Sequence, residues 1–137
     1  MALILDTGPI LAMLDRRDAY HEACFALIQS TSETLVIPAP VLVEVDYWIK
    51  ERLHPDVRML LLDDIKKQRF SVENLVLDDY DRIQELCSRY ADADIGFVDA
   101  AVLAIVERLG EPKLATLDHR HFGMLRPRHV HALHLLP

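Results

Sequence analysis

The sequence predicts an α/β protein with a short, mainly parallel central sheet flanked by helices. Short apolar runs alternate along the chain with longer segments whose apolar residues recur at helical spacing. Strands that alternate with helices are typical of parallel sheets, because each helix carries the chain back to the starting edge of the sheet. The chain has 137 residues, which suits one domain, and we expect that domain to span residues 1–137.

The first half of the chain is expected to form two strands and four helices. Pro9 suits the first turn of a helix, where its missing N–H group costs nothing. Asp18 is placed to cap the next helix, Pro38 stops the second strand, and Pro40 can open the helix that follows. Pro55 then breaks the chain between two helices. The predicted strands are 2–5 and 35–37, and the predicted helices are 9–14, 19–29, 41–53 and 56–69.

The second half continues the alternation. Ile83, Leu86 and Cys87 share one face of a helix. An acidic loop over 91–96 precedes a strongly apolar helix that ends at Gly110. The predicted strands are 70–75, 113–117 and 129–136, and the predicted helices are 78–90, 97–109 and 119–125.

Charge and composition limit the possible functions. The net charge of −7 argues against a protein that coats nucleic acid, since such proteins carry a basic surface. Part of that charge could instead form a metal site, where a bound cation reverses the local sign. Cys24 and Cys87 are expected to be buried free thiols. The seven histidines, including His119, His121 and those at 129–134, show no metal-ligand spacing, so we expect them at the surface or on strand faces.

The N-terminus carries no targeting pattern. No basic segment precedes an apolar run, so a cleaved signal peptide is not expected. The longest apolar stretches are too short to cross a bilayer. We therefore expect a soluble, cytoplasmic protein that does not bind membranes.

Four carboxylates are predicted to meet at one edge of the sheet. Asp6 and Asp118 directly follow the first and fourth predicted strands, and ligands of open α/β sheets bind outside the carboxyl ends of the strands. Glu44 and Asp99 lie near the starts of helices that follow strands and therefore face the same edge. The four side chains can converge although they are spread over most of the chain.

Each acid also has an ordinary structural explanation. Asp6 and Asp118 could cap the helices that follow them, and Glu44 could be an exposed helix acid. Asp99 is harder to explain in this way, because the residues around it, 97–102, are otherwise apolar and an unpaired buried charge is costly. Carboxylate oxygens suit Mg²⁺ or Mn²⁺ rather than Zn²⁺. Such an ion can activate water for attack on a phosphodiester.

Four sequence blocks carry a resemblance to a known family. They are LILDTG at 3–8, VLVEV at 41–45, YADADIGFVDA at 90–100 and LATLDHRHF at 114–122. With these blocks in this order over nearly the whole chain, the sequence resembles PIN-domain proteins, and within them the VapC-type toxins of bacterial toxin–antitoxin pairs. The resemblance implies a PIN-like fold and a Mg²⁺-dependent endoribonuclease that cleaves a structured RNA, such as a tRNA or rRNA. It also implies a homodimer that a cognate antitoxin holds inactive.

The resemblance further implies roles for individual residues. Asp6, Glu44, Asp99 and Asp118 match the four acidic positions of the family, and Asp6 and Asp99 are implied as direct ligands of Mg²⁺ or Mn²⁺. Asp94 stands where many relatives lack an acid, so the choice between Asp92 and Asp94 as a further acid is open. The implied supporting residues are Thr7, Asp92 and Thr116.

Two other functions fit parts of the sequence. A phosphatase of the haloacid dehalogenase type also begins with an aspartate after its first strand, but it needs a second aspartate where this chain has Gly8. A non-catalytic PIN-like module that binds RNA or a partner would lack one of the four acids, and none is missing. The sequence does not exclude DNA as a substrate, because the same metal chemistry cuts either polymer.

Contacts to RNA would have to come from local basic residues. They could steer phosphates toward the acids, or they could simply be a solvated charged surface. The basic run at 66–69 lies at a helix C-terminus, where cations favour the helix dipole, and is not expected to bind RNA. The candidates are Arg16, Arg17, Arg120, Arg126 and Arg128.

Overall fold

Five short strands and seven α-helices alternate along residues 1–137, all of which the computed structural model describes. The strands are β1 (Ala2–Ile4), β2 (Thr34–Pro38), β3 (Ser71–Glu73), β4 (Lys113–Ala115) and β5 (His134–Leu136). The helices are α1 (Thr7–Leu14), α2 (His21–Ser30), α3 (Ala39–Arg52), α4 (Asp56–Lys66), α5 (Leu77–Arg89), α6 (Phe97–Arg108) and α7 (His119–Met124). A turn of 3-10 helix, Ala91–Ala93, lies between α5 and α6. The predicted α/β class is confirmed.

The strands are all parallel. β2 pairs with β1 on one side and with β3 on the other, and β4 pairs with β5. Leu5 forms a parallel bridge to Ala115, and the Asp6 N–H group donates to the Ala115 carbonyl at 2.9 Å. These bonds place β1 beside β4 and give the order β3-β2-β1-β4-β5. The carboxyl ends of β1 and β4 are therefore neighbours.

Four helices begin at different residues from those predicted. α1 begins at Thr7 rather than at residue 9, and α5 begins at Leu77 rather than at residue 78. α2 begins at His21 rather than at residue 19, because Asp18 closes a turn before the helix: its Oδ1 accepts from the Tyr20 N–H at 2.8 Å. α3 begins at Ala39, two residues before the predicted start, with Pro40 in its first turn.

Four of the five strands are shorter than predicted, most of all β5, whereas β2 extends beyond its predicted bounds at both ends. The segment 129–133 was expected to extend β5, which begins only at His134. Just before that segment, the Arg128 N–H donates to Glu107 Oε2 at 2.6 Å, and His129 Nε2 bonds to the Glu111 carbonyl at 2.5 Å. Because these bonds hold residues 128 and 129 to α6 and to the turn after it, the chain pairs with β4 only from His134 onward.

The core is built around α6. Residues 100–106 of this helix are all buried, as its nearly continuous apolar sequence predicts. All of them except Ile105 belong to one cluster with the strand residues Leu3, Ile37 and Leu114. This packing fixes the first turn of α6, which carries Asp99, relative to the sheet. No helix is both long and apolar enough to span a bilayer.

Buried ion pairs fasten α5 to α6. Arg82 donates two hydrogen bonds to the Glu107 carboxylate, at 2.8 and 2.9 Å, and both side chains are almost fully buried. Arg108 donates to the buried Asp79 at 3.1 Å. Two-pronged bonds from a guanidinium to a carboxylate are among the stronger polar contacts in proteins.

Candidate active site

The four acids singled out in the sequence lie where strands end or helices begin. Asp6 follows β1 and is the N-cap of α1, and Asp118 follows β4 and is the N-cap of α7. Asp99 lies in the first turn of α6, and Glu44 lies in the second turn of α3. The Asp118 side chain does cap its helix, since Oδ1 accepts from the His121 N–H at 3.0 Å.

Asp6 is the most buried of the four acids, with 6% of its surface exposed. Its Oδ2 accepts a hydrogen bond of 2.8 Å from the hydroxyl of Thr116, which is fully buried. Burial is the main cause that raises the pKa of Asp6 to about 6. The charges of Asp99 and Glu44 act in the same direction, against the hydrogen bonds from the Thr7 backbone and from Thr116. Shifts of this kind are concentrated at functional sites.

Asp99 interacts electrostatically with each of the other three acids, and we call the four together the acid cluster. Its pKa is raised mainly by burial, next by the charge of Asp118, and also by the charge of Glu44. Its own charge in turn raises the pKa of Asp6. The predicted convergence of four carboxylates is therefore present in the fold, while their catalytic roles stay predictions.

His121 was not expected in this cluster. Its Nδ1 lies 2.7 Å from Asp118 Oδ2, and this hydrogen bond is the main cause that raises the pKa of His121. One ligand atom from each of Asp99, Asp118 and His121 lies within 4.8 Å of the other two. The sequence predicts the histidines at the surface or on strand faces, and it does not single out His121, which lies partly exposed on α7 beside two of the acids. An acid followed three residues later by a histidine at a helix start is the signal that could have found it.

The donor set fits a divalent cation. Carboxylate oxygens dominate it, and Thr7 Oγ1, beside Asp6, is buried without a hydrogen-bond partner. Burial is the main cause that raises the pKa values of Asp6 and Asp99, and repulsion between the carboxylates adds to it; a bound cation relieves that repulsion. Glu44 contributes to this repulsion from α3. The residues present therefore match the chemistry of a Mg²⁺ or Mn²⁺ site.

Two further acids lie apart from the close group of ligand atoms. Asp92 is in the 3-10 turn before α6, and Asp94 ends that turn with a left-handed backbone, φ +58°. Both side chains are exposed.

The candidate arginines differ in how they are held. Arg16 and Arg17 are exposed in the turn after α1, and Arg120 is exposed in α7, directly beside His121 in the chain. Arg126 is exposed, and its backbone N–H donates to the Tyr90 hydroxyl at 3.0 Å. The other candidate near the C-terminus, Arg128, is already paired with a glutamate of α5.

Comparisons with known proteins identify the family of this chain. Residues 3–124 match the family described as PIN domain. The chain is 30% identical over 125 residues to Ribonuclease VapC26 of Mycobacterium tuberculosis, covering 91% of this chain and 93% of that protein. The fold and the match define the class: the chain belongs to the PIN-domain family. Within that family, the relative over nearly the full length of both chains puts it among the VapC-type proteins.

Solved structures show the same fold. VapC20 of Mycobacterium tuberculosis, described as a sarcin–ricin loop cleaving toxin, has a TM-score of 0.75 and 20% identity over 82% of this chain and 86% of that chain. A chain of VapBC2 from Rickettsia felis, solved bound to a DNA fragment of its promoter, has a TM-score of 0.72 and 17% identity over all of both chains. At such identities, the likeness concerns the fold alone.

Proposed function

We propose that this chain is a metal-dependent endoribonuclease, the toxin of a toxin–antitoxin pair, with Asp6, Glu44, Asp99 and Asp118 as its catalytic acids. The observation that carries the proposal is the convergence of these carboxylates beside the buried Asp6, whose pKa is raised to about 6. The name of the VapC26 relative supports ribonuclease activity. The activity belongs in the bacterial cytoplasm, where such an enzyme meets RNA.

The chain's own residues hold the acids in place for this reaction. The Thr116 hydroxyl donates to Asp6 Oδ2 and accepts from the Asp118 N–H at 3.0 Å, so one hydroxyl fixes two acids relative to each other. The buried body of α6 fixes Asp99. A divalent cation held by Asp6 and Asp99 would lower the pKa of an attacking water and stabilise the charge that develops on the phosphodiester. Fixed groups of this kind need no rearrangement as that charge develops.

The substrate in this proposal is a structured RNA of the tRNA or rRNA class. The structural relative VapC20 is described as cleaving the sarcin–ricin loop, which supports a folded RNA as target. Arg16, Arg17, Arg120 and Arg126 are exposed and can contact phosphates despite the net charge of −7. Sequencing of RNA ends after brief expression in a bacterial host would identify the RNA and the cut.

The decisive experiment is a cleavage assay with purified protein and a structured RNA. We expect cleavage with Mg²⁺ or Mn²⁺ and none in excess EDTA. Asp6→Asn and Asp99→Asn should each abolish it in folded protein. Asp81→Asn is the matched control, since Asp81 is an exposed acid on α5. Undiminished cleavage in EDTA, or RNA binding with no turnover in any metal, would contradict the proposal; the second result would favour a non-catalytic binding module.

An antitoxin is the proposed partner for the apolar surface on α3 and α4. Two grooves meet at Val43 of α3, whose side chain is 74% exposed: one of about 330 Å³ lies between α3 and α4, and one of about 530 Å³ lies between α3 and the starts of α5 and α6. Exposed apolar patches of this kind mark partner surfaces. Solved relatives include toxin–antitoxin complexes, which supports a small protein partner. Co-expression with the antitoxin gene nearby should give a complex that Val43→Glu weakens, whereas Leu109→Glu, on an exposed residue elsewhere, should not.

We also propose a homodimer, because α4 exposes Met59, Leu60 and Leu62, and α3 exposes Val43. Light scattering at micromolar concentration should give twice the mass of one chain. A monomer under those conditions would remove this part of the proposal without affecting the nuclease activity.

A further inference from the structure

The ring of His121 is the one imidazole that lies among carboxylates from different elements. Asp99 comes from α6, and Asp118 comes from the end of β4. Three other histidines use a ring nitrogen on a backbone carbonyl, and His54 only meets Asp56, two residues away, at an exposed turn. Those three are His21, His119 and His129.

The backbone fixes the position of His121. Asp118 Oδ1 accepts from the His121 N–H, and the Asp118 carbonyl accepts from the Phe122 N–H at 3.2 Å. Phe122 and Leu125 are buried in the core and anchor the helix that carries the ring. The spacing of three residues puts both side chains on one face of α7. The pair is therefore held before any ligand arrives.

The distances match those of ligands on one ion. His121 Nδ1 and Asp118 Oδ2 are 2.7 Å apart, and adjacent ligand atoms on an octahedral ion with bonds of about 2.1 Å lie about 3 Å apart. Asp99 supplies a third atom within 4.8 Å. Asp6 lies deeper in the protein, and its side chain contacts the hydroxyl oxygen of Thr116 rather than a histidine. We call Asp99, Asp118 and His121 the outer group.

We propose that His121 is a direct ligand, through an imidazole nitrogen, of a Mn²⁺-type cation that Asp99 and Asp118 hold in the outer group, so that the site prefers Mn²⁺ to Mg²⁺. The inference rests on the proposed metal-dependent function. Asp99 is common to both proposed ligand sets, and the outer group adds Asp118 and a nitrogen ligand to the Asp6 and Asp99 oxygens. Mg²⁺ binds oxygen ligands and water, whereas imidazole suits transition metals. An imidazole in the ligand set therefore favours Mn²⁺ over Mg²⁺ at equal charge.

The test uses the full chain, stripped of metal and then loaded with Mn²⁺ alone. Electron spin echo spectra should show ¹⁴N modulation from a coordinated imidazole. The modulation should be absent in His121→Asn, whose amide can still donate to Asp118 from near the position of Nδ1. It should persist in His119→Asn, the matched control on the same helix. Calorimetry should show the Kd for Mn²⁺ rising about tenfold or more in His121→Asn, with a smaller change for Mg²⁺.

The outcomes separate this inference from the proposed function. Mn²⁺ that binds and supports cleavage without ¹⁴N modulation in the wild type would overturn the ligand role and leave the nuclease intact. Modulation that survives in His121→Asn would also overturn it. Failure of the wild type to bind Mn²⁺ at all would remove both. The wild-type spectrum is decisive by itself, so the inference does not depend on the variant folding.

Discussion

Thr116 donates one hydrogen bond to Asp6 at 2.8 Å, across 110 positions of the chain. The same hydroxyl accepts from the Asp118 N–H. Thr116→Val keeps the shape of the side chain but removes the hydroxyl. The buried Asp6 carboxylate and the Asp118 N–H group then each lose a hydrogen-bond partner. We expect the substitution to lower the free energy of unfolding by about 1–3 kcal/mol and to weaken cleavage. Urea unfolding measures the first effect, with Thr34→Val, at an exposed position of β2, as control. Equal stabilities for the two variants would show that the bond does not matter.

The metal-free protein should lose stability as pH rises from about 4 to about 6. The carboxyl of Asp6 ionises near 3.8 when unfolded but near 6 when folded. Between these values the folded chain holds a proton that the unfolded chain has released. Folding is therefore favoured at low pH, and the advantage, about 3 kcal/mol for Asp6, is gone above pH 6. Denaturant unfolding at pH 4 and pH 7 should show this loss in the wild type and in Asp81→Asn, and a smaller loss in Asp6→Asn. An equal loss of stability between pH 4 and pH 7 in all three proteins would refute this prediction.

Asp99→Asn should raise the melting temperature of the metal-free protein. Its charge repels those of Asp118 and Glu44, and burial further disfavours it. Removing the charge helps the fold and destroys the activity, a common trade at active sites. Millimolar Mg²⁺ should then raise the melting temperature of the wild type more than that of the variant, because only an intact site binds the ion well. If the variant melts lower in EDTA and responds to Mg²⁺ like the wild type, Asp99 has a structural role only.

Arg82→Met should destabilise the protein strongly without acting on the acid cluster. It leaves the Glu107 carboxylate buried and without its main partner, which typically costs about 3–5 kcal/mol. Arg89→Met, at an exposed position of the same helix, should stay within about 0.5 kcal/mol of the wild type. Chemical denaturation compares the two, and a loss below about 1 kcal/mol for Arg82→Met would mean that the pair is dispensable.

Arg120→Ala should raise KM and leave kcat nearly unchanged. Arg120 is exposed beside the acids, so its contribution to RNA binding should be made before the chemical step. One phosphate contact fewer lowers the slope of log affinity against log salt by about 1. Lys67→Ala, at the end of α4, should change neither quantity. A salt slope that is unaltered by Arg120→Ala would assign the residue to the solvated surface.

Local sequence signals were enough for the class of fold and for the four acids. Apolar runs and proline positions mark the strands and helix starts, and Asp99 stands out because its neighbours are apolar. Asp6 and Asp118 stand out because each follows a strand, and parallel strands bring such residues to one edge. Each of these signals depends either on residues close together in the chain or on the regular alternation of strands and helices. A single sequence is therefore enough to detect them.

The parts that could not be predicted depend on contacts between distant residues. β5 begins later than predicted because hydrogen bonds hold Arg128 and His129 to Glu107 and Glu111, and no local sequence pattern predicts those pairs. His121 was missed for a different reason: its spacing from Asp118 is visible, but Asp99, which completes the group, arrives from another helix. The start of α2 was mispredicted because an aspartate can either cap a helix or close a turn with the same side chain. Here Asp18 closes a turn, and the helix begins later, at His21.

The pairing of β1 with β4 has a consequence for the order in which the protein is made. Asp6 is synthesised long before its neighbour in the sheet, Ala115, and before the acid Asp118. While the ribosome is still adding the segment between them, the early carboxylate has neither its hydroxyl partner Thr116 nor the last acid beside it. A nascent chain therefore carries an incomplete set of these acids until β4 docks against β1.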